Sequence, residues 1–104
     1  DIDGYRCDVA EMVPSSFWAE AIKRVKAIKP VIMLAEGAKP ELYEVGFDYT
    51  YGWEVYHQLK KIFGGESAAS FVSVAQSETA KVPAGGRLMR FVTNHDETSW
   101  DDVP

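Results

Sequence analysis

Five consecutive apolar residues, Val31-Ile32-Met33-Leu34-Ala35, stand between Pro30 and the pair Glu36-Gly37. A strand with one wet face alternates apolar and polar side chains. An unbroken run of strand length reads instead as a strand buried on both faces, as in a parallel sheet covered by helices. The preceding residues fit that reading. From about Phe17 to Lys29, Trp18, Ile22, Val25 and Ile28 recur at spacings of four and three, the apolar stripe of one helix. Pro30 ends it, and Ser15 or Ser16, just after Pro14, can cap its start.

The rest of the chain repeats the alternation. Gly4 to Ala10 reads as a short strand of mixed faces, with Arg6 and Asp8 pointing one way and Tyr5, Cys7 and Val9 the other. Lys39 to Val45 is a connection with room for a helical turn. Phe47 to Tyr51 is a third strand. Trp53 to Phe63 is a helix in which Trp53, Tyr56, Leu59 or Lys60, and Phe63 share a face, and Gly64-Gly65 stops it. Ser67 to about Ser77 is a further helix built on Ala68, Phe71, Val72 and Ala75. Pro83, Gly85 and Gly86 make a loop. Leu88 to Thr93 is the fourth strand, ending at Asn94-His95-Asp96-Glu97. Helix-sized gaps between strands, with no hairpin signal, predict a parallel α/β sheet.

Composition sets bounds on function. The 104 residues are 46% hydrophobic and 12% aromatic, a globular rather than disordered make-up. The formal charge is −5, and an acidic chain without a basic run is a poor match for nucleic-acid phosphates. Lys23, Arg24, Lys26 and Lys29 fall on one helix and read as its solvated face. No stretch approaches the ~20 apolar residues that span a bilayer, so no membrane partner is expected. Cys7 is alone, which excludes a disulfide framework or a cysteine zinc site and favours a small buried hydrophobe. The chain starts at Asp1 without a Met and is expected to be a segment of a longer protein, so its compartment is not read.

The chemistry lies in position. Asp8, Glu36 and Asp96 each fall at or just past the predicted C-terminal end of a strand, the end from which barrel enzymes draw their reactive residues. Singly, an acid at a strand end is more often a helix cap or a solvated loop residue, His95 reads as a structural histidine, and Arg6 as an ion-pair partner. Together, two carboxylates can flank a glycosidic bond, one attacking the anomeric carbon while the other protonates the leaving oxygen. The donor needs a raised pKa, which an apolar approach such as residues 31–35 can help supply. The nucleophile must stay ionised, which a neighbouring Arg6 favours. Tyr49, Tyr51, Trp53 and Trp100 are candidates to stack on sugar rings. Trp53 starts a helix stripe and reads better as core, and Trp100 as the cleft rim.

Three stretches resemble sequence blocks of the alpha-amylase family. Residues 3–10, Asp-Gly-Tyr-Arg-Cys-Asp-Val-Ala, followed by Val13-Pro14, are similar to the block ending the fourth barrel strand. Ile32 to Glu36 is similar to the block ending the fifth. Phe91-Val92-Thr93-Asn94-His95-Asp96 closely resembles the block ending the seventh. The resemblance covers essentially the whole chain, residues 1–104. It implies a partial (β/α)8 TIM barrel of parallel strands with flanking helices, from about the fourth to the seventh strand. It implies a retaining glycosidase acting on α-glucans, with Asp8 as nucleophile, Glu36 as general acid/base and Asp96 binding sugar hydroxyls. Arg6 would support Asp8, and His95 would bond a hydroxyl beside Asp96. The carboxyls of Asp8 and Glu36 would then lie roughly 5–5.5 Å apart.

The chain departs from the family pattern in places. Glu11 and Met12 stand where many starch-cleaving members carry Lys-His, and Ala35 where Gly is common. No metal ligand set or cofactor is evident; the resemblance allows calcium in a full-length protein. A branching, isomerising or transferring enzyme of the same family stays open, as does a non-catalytic carbohydrate-binding or interaction relative. The 104 residues alone are expected to be inactive and to self-associate through exposed half-barrel edges.

Overall fold

The computed structural model describes residues 1–99. These form two compact units, one from residues 1–51 and 81–89, the other from 52–80 and 90–99.

The first unit is a four-stranded sheet. Its strands are β1 (Gly4–Cys7), β2 (Ile32–Ala35), β3 (Tyr49–Tyr51) and β4 (Arg87–Met89), in the spatial order β1-β2-β3-β4. Every neighbouring pair is parallel. Two helices belong to this unit: α1 (Ser15–Ile28) between β1 and β2, and the short α2 (Glu41–Glu44) between β2 and β3. The parallel α/β sheet with flanking helices read from the sequence is therefore present.

One core holds the unit together. Ile22 of α1 packs with Ala10, Val31, Met33, Ala35, Leu42 and Phe47, and Cys7, Trp18, Val25 and Val45 close its edge. The lone Cys7 is thus the small hydrophobe expected, and burial pushes its thiol pKa up against the opposing pull of Arg6. Registers Gly4↔Ile32 and Cys7↔Ala35 bring the β1 and β2 backbones together. A Cβ on Gly4 would stand 2.5 Å from the Ile32 carbonyl oxygen, so only glycine fits there.

Several expectations need correction. β2 is fully covered on one face only: Met33 and Ala35 are buried, whereas on the other face Ile32 is 54% exposed and Leu34 half-buried. Ile28 is 88% exposed. Two successive steps of three leave it roughly 120° around the helix from Ile22, off the buried side. Neither Ser15 nor Ser16 caps α1: Pro14 is the N-cap, and its carbonyl accepts from the Phe17 and Trp18 amides. Of the basic residues on α1 and its C-cap, Lys23, Arg24 and Lys29 are exposed and Lys26 is half-buried. Lys26 Nζ lies 3.0 Å from both carboxylate oxygens of Asp48, and Lys29 bonds Asp3 and the Ile2 carbonyl. The β1 strand stops at Cys7 rather than Ala10, because Ala10–Met12 turn into a 3-10 helix. β4 stops at Met89 rather than Thr93. Its pairing partner β3 ends at Tyr51, so residues beyond Met89 have no strand to extend along.

The second unit holds α3 (Trp53–Phe63) and α4 (Ser70–Ala80). α3 has the predicted bounds, with Gly64 at its C-cap and Gly65 at φ 111. Its buried residues are Val55, Tyr56 and Gln58, while Phe63 is exposed at its last turn. Trp53 is half-buried and packs edge-on against Tyr56 and Phe91. α4 begins three residues later than predicted. Ser67 is spent on the preceding turn, where its hydroxyl accepts from the Ala69 amide and its carbonyl from the Ser70 hydroxyl. Phe71 and Val72 are exposed, and Glu78 is the buried residue of α4.

Candidate active site

Alternation along the strands decides which side chains of the first unit meet. Register pairs Arg6 with Leu34, and Leu34 with Tyr49. Side chains two apart share a face, so Arg6, Leu34, Tyr49 and Tyr51 project from one side of the sheet. Glu36, two residues past Leu34, continues on that side. The helix-covered core lies on the other.

Arg6 is the centre of the group. Its Nη1 donates to Asp8 Oδ1 at 2.7 Å, and its Nη2 lies 3.3 Å from Glu36 Oε2. Its Nε donates to the Tyr51 hydroxyl at 3.2 Å. One guanidinium therefore bridges both carboxylates, a wider role than the sequence suggested, where Arg6 was expected to serve Asp8. The Tyr51 hydrogen bond is the main reason that the guanidinium holds its proton more tightly than usual; partial burial opposes it, and Asp8 reinforces it.

The two acids sit in different surroundings. The Asp8 side chain is 73% exposed on the turn after β1, and that of Glu36 is 19% exposed just past β2. Glu36 Oε2 also accepts the Val9 amide at 2.7 Å. Val9 reaches this position with φ 44, a left-handed conformation that a β-branched residue rarely adopts. Main-chain bonds brace the loops: Glu36 N–H donates to the Cys7 carbonyl, and Ala10 N–H to the Glu36 carbonyl. The Trp18 indole of α1 donates to the Ala10 carbonyl at 2.9 Å, pinning the turn that carries Asp8 to the helix. Glu11 Oε2 accepts the Ala38 amide at 3.3 Å, so this departure from the family pattern braces the loop after Glu36. Met12 is exposed.

Asp96 and His95 belong to the second unit. They were expected at or just past a strand end; instead they stand in a turn beyond residues 90–93, well after β4 has stopped. Asn94 builds that turn, its side-chain oxygen accepting the amides of Asp96 and Glu97. His95 Nε2 lies 3.4 Å from Asp96 Oδ2, and both side chains are largely exposed. Trp100 lies outside the described residues. Tyr51, read as a stacking candidate, is buried, and its phenol serves Arg6 instead. The Val9 amide had no signal in the sequence. Among the described residues, no group of three or more His, Cys, Asp or Glu side chains is placed to hold a metal ion. Nor is any helix among them long and apolar enough to cross a membrane.

A parallel α/β sheet with two carboxylates just past the C-terminal ends of adjacent strands, joined by an arginine from the last residues of one of them, matches where (β/α)8-barrel proteins carry their reactive residues. Comparison with known proteins narrows this class. The chain is 28% identical to alpha-amylase MalA of Haloarcula japonica over 103 residues, 95% of this chain and 16% of that protein. It is 36% identical to the maltogenic alpha-amylase of Bacillus acidopullulyticus over 73 residues, 66% of this chain and 12% of that protein. Among solved structures it superposes on the noncanonic maltogenic alpha-amylase AmyB of Thermotoga neapolitana with a TM-score of 0.80 and 36% identity, over 92% of this chain and 23% of that one. An alpha-amylase of Lactobacillus plantarum gives a TM-score of 0.80 and 38% identity, over 90% and 27%. No protein-family model matches. The chain is an alpha-amylase-family segment, and it spans less than a third of the length of each of these relatives.

Proposed function

We propose that the full-length protein is a retaining glycoside hydrolase acting on α-glucans, in which Asp8 is the nucleophile and Glu36 the general acid/base. The observation that carries this reading is the bridge from Arg6 to both carboxylates past the ends of adjacent parallel strands. The names of the relatives, alpha-amylase and maltogenic alpha-amylase, support the substrate class.

In the first step an Asp8 oxygen bonds to the anomeric carbon while the glycosidic C–O bond breaks and Glu36 gives its proton to the leaving oxygen. In the second, the Glu36 carboxylate takes a proton from water, the water oxygen bonds to the anomeric carbon, and Asp8 leaves with its electron pair. Two inversions give net retention. Exposed Asp8 is open to attack a sugar ring, and the more buried Glu36 is held in place through its Oε2 by Arg6 and the Val9 amide. Retaining chemistry calls for carboxyls about 5–5.5 Å apart, and a shared guanidinium supports a short separation. Asp96 and His95 are proposed to bind sugar hydroxyls, and Trp100 to stack on a sugar at the cleft rim.

The test is cleavage of maltooligosaccharides by the full-length protein, with the anomer of the first product read by NMR. The expected product is the α-anomer, with Asp8→Asn and Glu36→Gln each lowering kcat by ~10²-fold or more. A β-anomer, or near wild-type rates in either variant, contradicts the assignment. Products longer than the substrate would mark a transferring enzyme, and glucan binding without turnover a binding relative.

A further inference from the structure

We infer that Tyr51 is a positioning residue for this reaction: its phenol oxygen anchors Arg6 Nε and thereby sets how the guanidinium divides its other arms between Asp8 and Glu36. The inference rests on the reading of Asp8 and Glu36 as the reacting pair.

A guanidinium is a rigid planar fork, so fixing one nitrogen restricts where the other two point. In this structure each nitrogen has a distinct partner: Nε the Tyr51 hydroxyl, Nη1 Asp8 and Nη2 Glu36. Of these partners Asp8 is the least able to hold the fork still, being exposed on a turn beyond its strand. Tyr51 is the most able. It is 6% exposed and lies in β3, on the same sheet face as Arg6. Its backbone amide also donates to the Gly37 carbonyl at 3.0 Å, one residue past Glu36. The same residue thus fastens both the loop carrying Glu36 and the cation that touches it. A ring so buried offers no open face for a sugar, which sets this role apart from stacking.

The experiment is steady-state kinetics of the full-length protein on a maltooligosaccharide, comparing wild type, Tyr51→Phe, Arg6→Lys and the double variant, with D8N and E36Q as controls. Phenylalanine keeps the ring and removes only the oxygen. The expected result for Y51F is a kcat about tenfold lower, the effect of one hydrogen bond to a charged group, with KM within about twofold. Lysine has no Nε fork to anchor, so Y51F is expected to lower kcat by no more than about twofold further in the R6K background. A kcat for Y51F within about twofold of wild type overturns the inference. So does a raised KM at unchanged kcat, which marks a sugar contact, and so does a fully multiplicative loss in the double variant. A Y51F protein that fails to fold assigns the phenol to stability and overturns it as well. Dead D8N and E36Q beside an unaffected Y51F sink this inference alone. An inert wild type, or active D8N or E36Q, sinks the underlying reading instead.

Discussion

At the scale of single residues, Val9 shows how much local conformation the candidate site demands. Its positive φ turns its amide toward Glu36 while leaving the side chain half exposed. An L-residue pays about 1–2 kcal/mol for left-handed backbone, and glycine removes that strain but adds about 0.5–1 kcal/mol of unfolded-state entropy. Val9→Gly should therefore leave stability within about 1 kcal/mol of wild type in urea unfolding of the full-length protein. A loss of several kcal/mol would show that the side chain, not the backbone turn, matters there. The sequence could not reveal this, because nothing marks a valine for a left-handed turn. It did put Arg6 and Asp8 on one side of a strand and both acids at strand ends, and in the structure Arg6 touches both acids. It misjudged Tyr51 because an aromatic beside a cleft reads the same whether its ring meets sugar or its hydroxyl meets arginine.

Secondary-structure elements were legible where periodicity and punctuation agreed. α3 was bounded correctly as Trp53 to Phe63 with Gly64-Gly65 as its stop, and α1 stopped before Pro30 as expected. β4 was overrun, since its apolar character continues to Val92 and only the end of β3 limits the pairing. Glu78 was missed because its environment is tertiary: a carboxylate on α4 turned inward to the start of α3. Its Oε2 accepts the Glu54 amide at 2.8 Å, and its Oε1, buried without a hydrogen bond, lies 3.7 Å from Arg90 Nε. Glu78→Ala would strip a first-turn amide of α3 of its acceptor and leave Arg90 short of its counter-charge. The expected loss is about 2–3 kcal/mol, discounted from the figure for a fully buried pair because Arg90 is partly exposed. Hydrogen exchange should speed up at the amides opening α3. Unchanged stability and exchange would show that the contact is incidental.

At the scale of the whole molecule, the parallel sheet and its strand order follow from helix-length gaps between apolar runs, and the likeness to solved alpha-amylases carries the same fold. What the sequence overstated was coverage: a run such as residues 31–35 promises burial on both faces, yet one face is covered only in part, with Ile32 54% exposed and Leu34 half-buried. That face also presents Arg6 and Tyr51. Self-association of the bare 104 residues is a separate proposal that rests on the unpaired outer edges of β1 and β4 among the described residues.

The central claim is that Asp8 forms the covalent glycosyl-enzyme, and trapping that species tests it most directly. The full-length protein would be treated with an activated α-glucosyl fluoride whose 2-fluoro substituent slows turnover, then digested and mapped by mass spectrometry. The account predicts one sugar on the peptide carrying Asp8, and none on that peptide in D8N. A sugar on another carboxylate, or an enzyme that turns over α-glucans with inversion and gives no adduct, would contradict it.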